Sequence, residues 1–275
     1  MSDNSDNAGE MQPVDHLERA VQSLEEVLVS YEGEPITVRE TSGDIVVAEC
    51  YLLHEMILEI YRQLAAHHGS VDDYKNIAHT ALELGDFFST HDIAEPYYRE
   101  ARESLQHILK EEQDTEYLKI LCRAELSLGE VLSVHFDNDI SKEHLKKAYV
   151  IASSIKDSVS DPDDMHIVGK VLLFYAETSS YMQSSSGSES FDAQKTLRDA
   201  RRLLTNAVEE LRSSNVYYHA GLAAYHLANV VVDTEEKHGL VTEALDFLKK
   251  SYQLESDKDT QDVIDDISQE FKWLI

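Results

Sequence analysis

The sequence predicts an all-α protein built from antiparallel helical hairpins, and three observations support this. The chain of 275 residues contains only 4 Pro and 10 Gly, and most of them lie between periodic segments rather than inside them. Apolar residues recur at steps of three and four, as in amphipathic helices. The breaks between the periodic segments are short, so consecutive helices are expected to run antiparallel.

About eleven helices follow from this periodicity and from the turn residues between them. They are expected over residues 14–31, 45–67, 71–89, 93–112, 115–135, 139–156, 164–182, 190–212, 215–233, 239–254 and 260–273. The acidic segment 1–13 has few side chains to bury and is expected to be a disordered tail.

The early helices are bounded by recognisable signals. The first carries an apolar stripe of Leu17, Val21, Leu24 and Leu28, and the Gly- and Pro-containing segment 32–44 that follows it predicts a loop. The third helix begins with two acidic residues, which are favourable in a first turn. These signals predict separate helices rather than one long rod.

Capping residues mark the later helices. Asp114 or Thr115 is suited to cap the fifth helix, and Asn138 or Asp139 is suited to cap the sixth. Pro162 stops one helix and starts the next, because proline is tolerated in a first turn but not in a helix interior. The serine-rich run 184–188 predicts a flexible loop.

Small and large apolar residues alternate in a recognisable way between residues 128 and 148. One helical face carries Leu128, Gly129 and Leu132, and the next carries Ser141, Leu145 and Ala148. Weaker echoes appear in three other segments: Leu84 and Gly85 before Ala94, Tyr98 and Ala101; Ala193, Leu197 and Ala200; and Leu227 and Ala228 before Ala244, Leu248 and Ser251.

This spacing resembles the tetratricopeptide repeat (TPR), although the hairpins here are longer than the usual repeat of about 34 residues. The resemblance implies a TPR-like α-solenoid of stacked hairpins. Residues 14–275 would form a single domain, most repeat-like over 70–255, with 258–274 as a capping helix. An irregular helical bundle is the alternative, because any close helix crossing favours small residues.

Composition restricts the function. The net charge of −29 repels phosphate backbones and anionic membranes, so neither nucleic acid nor direct membrane binding is expected. The two cysteines are too few for a disulfide framework, which favours a reducing compartment. With no apolar N-terminal signal, the sequence predicts a cytoplasmic protein and leaves the nucleus open.

Catalytic and metal-binding motifs are missing from the sequence. No phosphate-binding glycine loop occurs. The residue four positions after His54 is Leu58, so a zinc-protease helix lacks its second ligand, and Lys142 stands where a calcium loop needs Gly. We expect no enzyme activity, no cofactor and no metal.

The TPR resemblance also implies a concave groove lined by the first helix of each hairpin. Carried over by position, this groove would include His79, Leu82, Asp86, Arg123, Leu126, Glu130, Ser133, Leu222, Tyr225, Asn229 and Val232. The lysine and asparagine with which some family members hold a C-terminal carboxylate are absent, because Leu126 and Glu130 occupy those places.

An acidic groove predicts a basic or amphipathic peptide segment as its partner. The favoured function is therefore a non-catalytic scaffold or adaptor. One alternative is a self-associating regulatory or assembly factor acting through an apolar face near Phe271 and Trp273. A lesser alternative is an all-helical enzyme without a recognisable motif. The negative charge is equally consistent with a surface that serves solubility or salt adaptation.

Overall fold

The computed structural model of the protein describes residues 13–31, 49–88, 91–110, 112, 114–133, 135–136, 138–182 and 192–273. Within these residues it contains eleven α-helices and no strand, which confirms the predicted all-α fold. The helices are α1 (Pro13–Tyr31), α2 (Glu49–His68), α3 (Val71–Phe87), α4 (His91–Ile108), α5 (Thr115–Leu132), α6 (Asp139–Ile155), α7 (Pro162–Met182), α8 (Ala193–Leu211), α9 (Ser214–Val230), α10 (Thr234–Leu254) and α11 (Lys258–Glu270). Of the predicted tail over 1–13, residues 1–12 lie outside the described residues, whereas Pro13 is the first residue of α1. The predicted loops at 32–44 and 184–188 also lie outside the described residues.

Side-chain caps determine where several helices begin. The Asp114 carboxylate accepts a hydrogen bond from the Glu116 N–H at 3.0 Å, and the Asn138 side chain accepts one from the Ser141 N–H at 2.8 Å. Pro162 is the first residue of α7. The predicted caps of the fifth and sixth helices and the predicted restart at the proline are therefore confirmed, because each cap satisfies an N–H that has no partner within its helix.

The start of α10 differs from the prediction. The helix begins at Thr234, five residues before the expected start at Gly239. Asp233 caps it by accepting a hydrogen bond from the Glu236 N–H at 2.8 Å, and two acidic residues occupy the first turn. The prediction treated Gly239 as a helix boundary, but a cap and a favourable first turn outweigh one glycine that costs about 1 kcal/mol in a helix interior.

The chain divides into two compact units, Met1–Gln113 and Asp114–Ile275. In the first unit, α1 packs on α2, α2 on α3, and α3 most extensively on α4. The Tyr61 hydroxyl of α2 donates to Glu25 of α1 at 2.6 Å, and Arg62 binds both carboxylate oxygens of Glu100 on α4 at 2.7 and 2.6 Å. The prediction of one domain over 14–275 stays a prediction.

The second unit is a stack of three hairpins with a terminal helix. The most extensive contacts join α5 with α6, α7 with α8, and α9 with α10. Each hairpin also packs on the next through α6–α7 and α8–α9, while the first helices contact one another as α5–α7 and α7–α9. The helix α11 packs on α10, and a continuous apolar core extends from Cys122 to Phe271. Contacts that join neighbouring hairpins in sequence order are typical of a solenoid rather than a bundle.

Glycines mark equivalent positions in the three hairpins of the second unit. A Cβ atom added at Gly169 would meet the Ala200 carbonyl oxygen at 3.3 Å, and one at Gly221 would meet the Ala244 carbonyl oxygen at 3.2 Å. At Gly129 the corresponding oxygen belongs to Ser141, at 3.3 Å. The backbones of the paired helices therefore lie close together at these glycines, and the side chains of Phe136, Leu204 and Leu248 fill the space that a Cβ atom would occupy.

This register corrects the predicted alignment of two of the weaker repeat segments. In α8 the residue equivalent to Ser141 is Ala200, whereas the sequence reading had placed Ala193 there. In the last hairpin, Gly221 rather than Ala228 faces Ala244. The sequence pattern misled because apolar residues at helical spacing look alike one or two turns apart, so only the packing distinguishes the alternatives.

The contrast between two glycines gives a testable prediction. Replacing Gly221 with alanine should lower the free energy of unfolding by about 1–2 kcal/mol, since the new Cβ would lie 2.7 Å from Cγ of the fully buried Leu248. Replacing Gly239 with alanine should raise it by about 0.5–1 kcal/mol, because nothing lies within 4 Å of that Cβ and only helix propensity changes. Urea unfolding of both variants, followed by circular dichroism, measures the difference. Equal effects of the same sign would contradict the close approach at Gly221.

Candidate protein-interaction surface

The residues predicted to line a groove fall in both units. His79, Leu82 and Asp86 belong to α3 in the first unit, and the other eight belong to the second. His79 and Asp86 are exposed, and the Asp86 carboxylate accepts a hydrogen bond from the Tyr98 hydroxyl at 2.9 Å. Leu82 is only 3% exposed, so its side chain belongs to the core of that unit.

The predicted residues of α5 also include both accessible and buried side chains. Arg123 is exposed and Glu130 is half-buried, whereas Leu126 is 1% exposed and lies within the apolar core of the second unit. Ser133 is half-buried and ends the helix, where its N–H donates to the Gly129 carbonyl oxygen. Leu82 and Leu126 therefore cannot contact a partner at a surface, which corrects the prediction for both. Their apolar side chains gain more from burial between helices than from exposure.

On α9 the predicted residues follow one face of the helix. Leu222 and Tyr225 are half-buried, and Asn229 is exposed. Val232 is 95% exposed and lies beyond the end of α9 at Val230. With Gly221 aligned to Gly129, the residues of α9 that correspond to the predicted α5 residues lie nearer to the N-terminus of α9. This alignment adds the half-buried Tyr218 to the same face.

None of the predicted groove residues belongs to α7. By the glycine register, Lys170 of α7 takes the place that Glu130 has in α5 and Leu222 has in α9. The side chains of Lys170 and Glu130 form an ion pair at 2.6 Å, and Phe174 follows one turn later with its ring 5.5 Å from the Lys170 Nζ atom. The signal that could have revealed α7 is Gly169, but the long interval between Gly169 and Ala200 obscured the repeat.

These side chains define a surface that we call the first-helix face, formed by Arg123, Glu130, Lys170, Phe174, Tyr218, Leu222 and Tyr225. Its α5–α7 part carries cations that are already paired. The Lys119 Nζ atom lies 2.9 Å from carboxylate oxygens of both Glu116 and Asp164, and Lys170 is paired with Glu130. The positive charges of Lys119 and Lys170 are therefore already compensated by neighbouring carboxylates.

The α9 part has a different character. Although 28% of the residues of the chain are charged, α9 contains no Asp, Glu, Lys or Arg. Beside it, α11 contains five acidic residues and one lysine. The Tyr225 hydroxyl of α9 donates to the Glu270 carboxylate of α11 at 2.8 Å, and the Tyr225 ring meets the Phe271 ring edge-on at 6.3 Å. An uncharged aromatic strip thus adjoins an acidic helix.

The two tyrosines of this strip respond to that acidic surrounding. Burial raises the pKa of Tyr218, and the charges of Asp257, Asp259 and Glu177 raise it further. Burial also raises the pKa of Tyr225, together with the hydrogen bond to Glu270. Both hydroxyl groups therefore stay protonated near neutral pH, as uncharged hydrogen-bond donors in a negative field.

Two histidines join α7 to α9 beneath this face. The His166 Nε2 atom lies 3.0 Å from the His219 Nδ1 atom, so one ring donates a hydrogen bond and the other accepts it. Burial, together with the positive charge of the nearby Lys170, lowers the pKa of His166 to about 4. Burial likewise lowers the pKa of His219 well below its usual value. Both imidazoles are neutral at physiological pH and hold the two first helices together.

Other groups in the described part of the chain offer little for chemistry. No three His, Cys, Asp or Glu side chains come together there in a way that would hold a metal ion. Cys122 is buried and its thiol donates to the Ala148 carbonyl oxygen at 3.6 Å, while burial raises its pKa to about 12. A thiol this basic is a poor nucleophile. Among the described helices, none has the length and apolar character needed to span a membrane.

Comparison with known proteins assigns no family. No family model matches the chain, and no curated protein matches it. Among solved structures, the chain is similar to the S. pombe nuclear import adaptor Nro1, with 13% identity, a TM-score of 0.42, and coverage of 92% of this chain and 99% of that chain. It also matches the de novo designed helical repeat protein DHR64, with 16% identity, a TM-score of 0.17, and coverage of 95% of this chain and 93% of that chain. Likenesses of this size assign neither a family nor a function to the chain.

Proposed function

We propose that this protein is a non-catalytic adaptor of the cytoplasm or nucleus that binds a basic or amphipathic peptide segment of another protein. Its hairpins are a divergent form of the TPR arrangement, and the first-helix face of the second unit is the binding surface. Repeat scaffolds of this kind expose the first helix of each hairpin to a partner.

The uncharged helix α9 is the observation that carries the proposal. A helix whose role was only to keep an acidic protein soluble would carry charge on its exposed side, yet α9 leaves Leu222 and Tyr225 partly exposed there. Large apolar side chains that remain accessible along one face are typical of protein contacts. The acidic surroundings favour a cationic partner and repel nucleic acid.

Self-association is the second candidate, and Trp273 is the observation that favours it. This side chain is 68% exposed just after α11, whereas the nearby Phe271 is only 3% exposed. The net charge of −29 opposes the approach of two copies. Light scattering over a range of protein concentrations decides this, since a constant monomer mass removes the candidate.

Site-specific crosslinking tests the adaptor function in the full-length chain. A photo-crosslinking amino acid placed at Leu222, on the first-helix face, is expected to capture a defined set of proteins in the native cell. The same amino acid at Glu209, an exposed position on α8, serves as the control and is expected to capture few of them. Identical products at the two positions, or none at Leu222, would remove the first-helix face as the binding surface.

A further inference from the structure

The first-helix face ends at a surface that combines two stripes of side chains, one on each of two helices. We call it the α9–α11 surface, formed by Tyr218, Leu222 and Tyr225 of α9 with Asp259, Asp266 and Glu270 of α11. The α9 residues recur at steps of four and three, and the α11 residues at steps of seven and four, so each set lies on one side of its helix. The acidic stripe spans about 16 Å at 1.5 Å per residue.

Contacts keep the two stripes side by side. Ile267 and Phe271 are buried and anchor α11, which leaves its acidic side chains exposed. The hydrogen bond from the Tyr225 hydroxyl to Glu270 fixes one end of the pair of stripes. Near the other end, the charge of Asp259 contributes to the raised pKa of Tyr218. Carboxylates of α11 therefore lie near both ends of the aromatic stripe.

The negative charge of this surface is left without compensation from the described residues. Lys258 lies 3.9 Å from Asp262 and is fully solvated, and no described side chain forms an ion pair with Asp259 or Asp266. On the opposite edge, Lys170 of α7 is already paired with Glu130. The surface is thus apolar along its centre and strongly negative along the α11 edge, whereas the α7 edge carries both the paired Lys170 and the carboxylate of Glu177.

We infer that the α9–α11 surface binds an amphipathic helix whose apolar side chains pack on α9 and whose Lys or Arg side chains form a single row over α11. This inference rests on the proposed adaptor function and specifies its partner. A cationic row on one edge matches the uneven charge of the surface, whereas cations on both edges would meet the paired lysine of α7. The apolar stripe supplies affinity, and the charge row sets the orientation of the bound helix.

A synthetic helix provides the probe. The peptide has leucines at steps of three and four and lysines along one edge, over about four turns. Its binding to the full-length chain is followed by fluorescence anisotropy at low and at high salt. We expect it to bind, and to bind more weakly at high salt because the charge row is screened. A version with glutamates in place of the lysines is expected not to bind.

Two variants test the surface, and a third is their matched control. Leu222→Ala, and Asp259→Asn combined with Asp266→Asn, are each expected to weaken the peptide about tenfold or more, and the second also to reduce the salt dependence. Glu209→Gln combined with Glu210→Gln removes the same charge from exposed positions on α8 and is expected to leave the affinity unchanged. Circular dichroism confirms that each variant is folded.

The outcomes separate this inference from the adaptor function itself. If the lysine peptide does not bind, or if the α11 variant binds it as the unchanged chain does, the inference is wrong. Crosslinked partners captured at Leu222 would then still support an adaptor, with a partner of different chemistry. Loss of those crosslinks would instead remove the adaptor function, whatever the peptide does.

Discussion

Replacing His144 with leucine is expected to lower the free energy of unfolding by about 3–5 kcal/mol. The His144 Nδ1 atom lies 2.6 Å from the Glu125 Oε2 atom, and the two residues are 4% and 2% exposed between α6 and α5. Leucine fills much the same space but leaves the buried carboxyl group without its partner. Leaving a buried polar group without a hydrogen-bond partner costs far more than losing a surface ion pair. Urea unfolding followed by circular dichroism measures the loss.

A double variant separates the pair from its packing. When Glu125 and His144 are both replaced by leucine, the buried polar groups disappear together, and the stability is expected to return to within about 1–2 kcal/mol of the unchanged chain. If the double variant were as unstable as His144→Leu alone, the cost would come from altered packing and not from the orphaned carboxyl group. The comparison therefore measures how this pair joins the two helices of the first hairpin in the second unit.

Acid is expected to weaken the junction between α7 and α9. Burial lowers the pKa of His166 from 6.5 to about 4, so the unfolded chain takes up a proton at a higher pH than the folded chain does. The stability contributed by the neutral ring is fully present above pH 6.5 and is lost as the pH falls through about 4. A shift of this size corresponds to about 3 kcal/mol. The lowered pKa of His219 acts in the same direction.

Variants isolate this effect from the titration of carboxylates. His219→Gln keeps a polar side chain beside His166 but removes one buried imidazole, so its stability is expected to fall less steeply between pH 6.5 and 4. His238→Gln changes an exposed histidine of α10 and is expected to leave the pH profile unaltered. Thermal unfolding at a series of pH values provides the measurement. An unchanged slope in His219→Gln would show that the buried imidazoles do not govern the acid response.

The two buried pairs also bear on the binding surface. Glu125–His144 holds α5 against α6, and His166–His219 holds α7 against α9. Both pairs join helices that contribute to the first-helix face, and both are directional contacts. Such pairs restrict the relative position of neighbouring helices, because a hydrogen bond tolerates less displacement than an apolar contact. The distances between the helices that form the face therefore depend on these two hydrogen-bonded pairs.

The site could be predicted only in part. The TPR resemblance predicts that the first helix of each hairpin lines a groove, and of the residues it names on α9, Leu222 and Tyr225 are half-buried. It could not show that Leu126 is buried, since an apolar residue at helical spacing suits a core and a contact surface equally well. It also could not show that α7 belongs to the face, because the long α7–α8 connection hides the equivalence of Gly169 with Gly129.

The sequence by itself determined the helices and several of their ends, because periodicity, caps such as Asn138 and the restart at Pro162 act over one or two turns. Only the tertiary structure decided which glycine faces which helix, and therefore which side chains share a surface. The pairing of Lys170 with Glu130 and the closeness of Tyr225 to Glu270 depend on contacts between residues far apart in the chain. Local signals carry no information about such contacts, since several registers bury the same apolar stripe equally well.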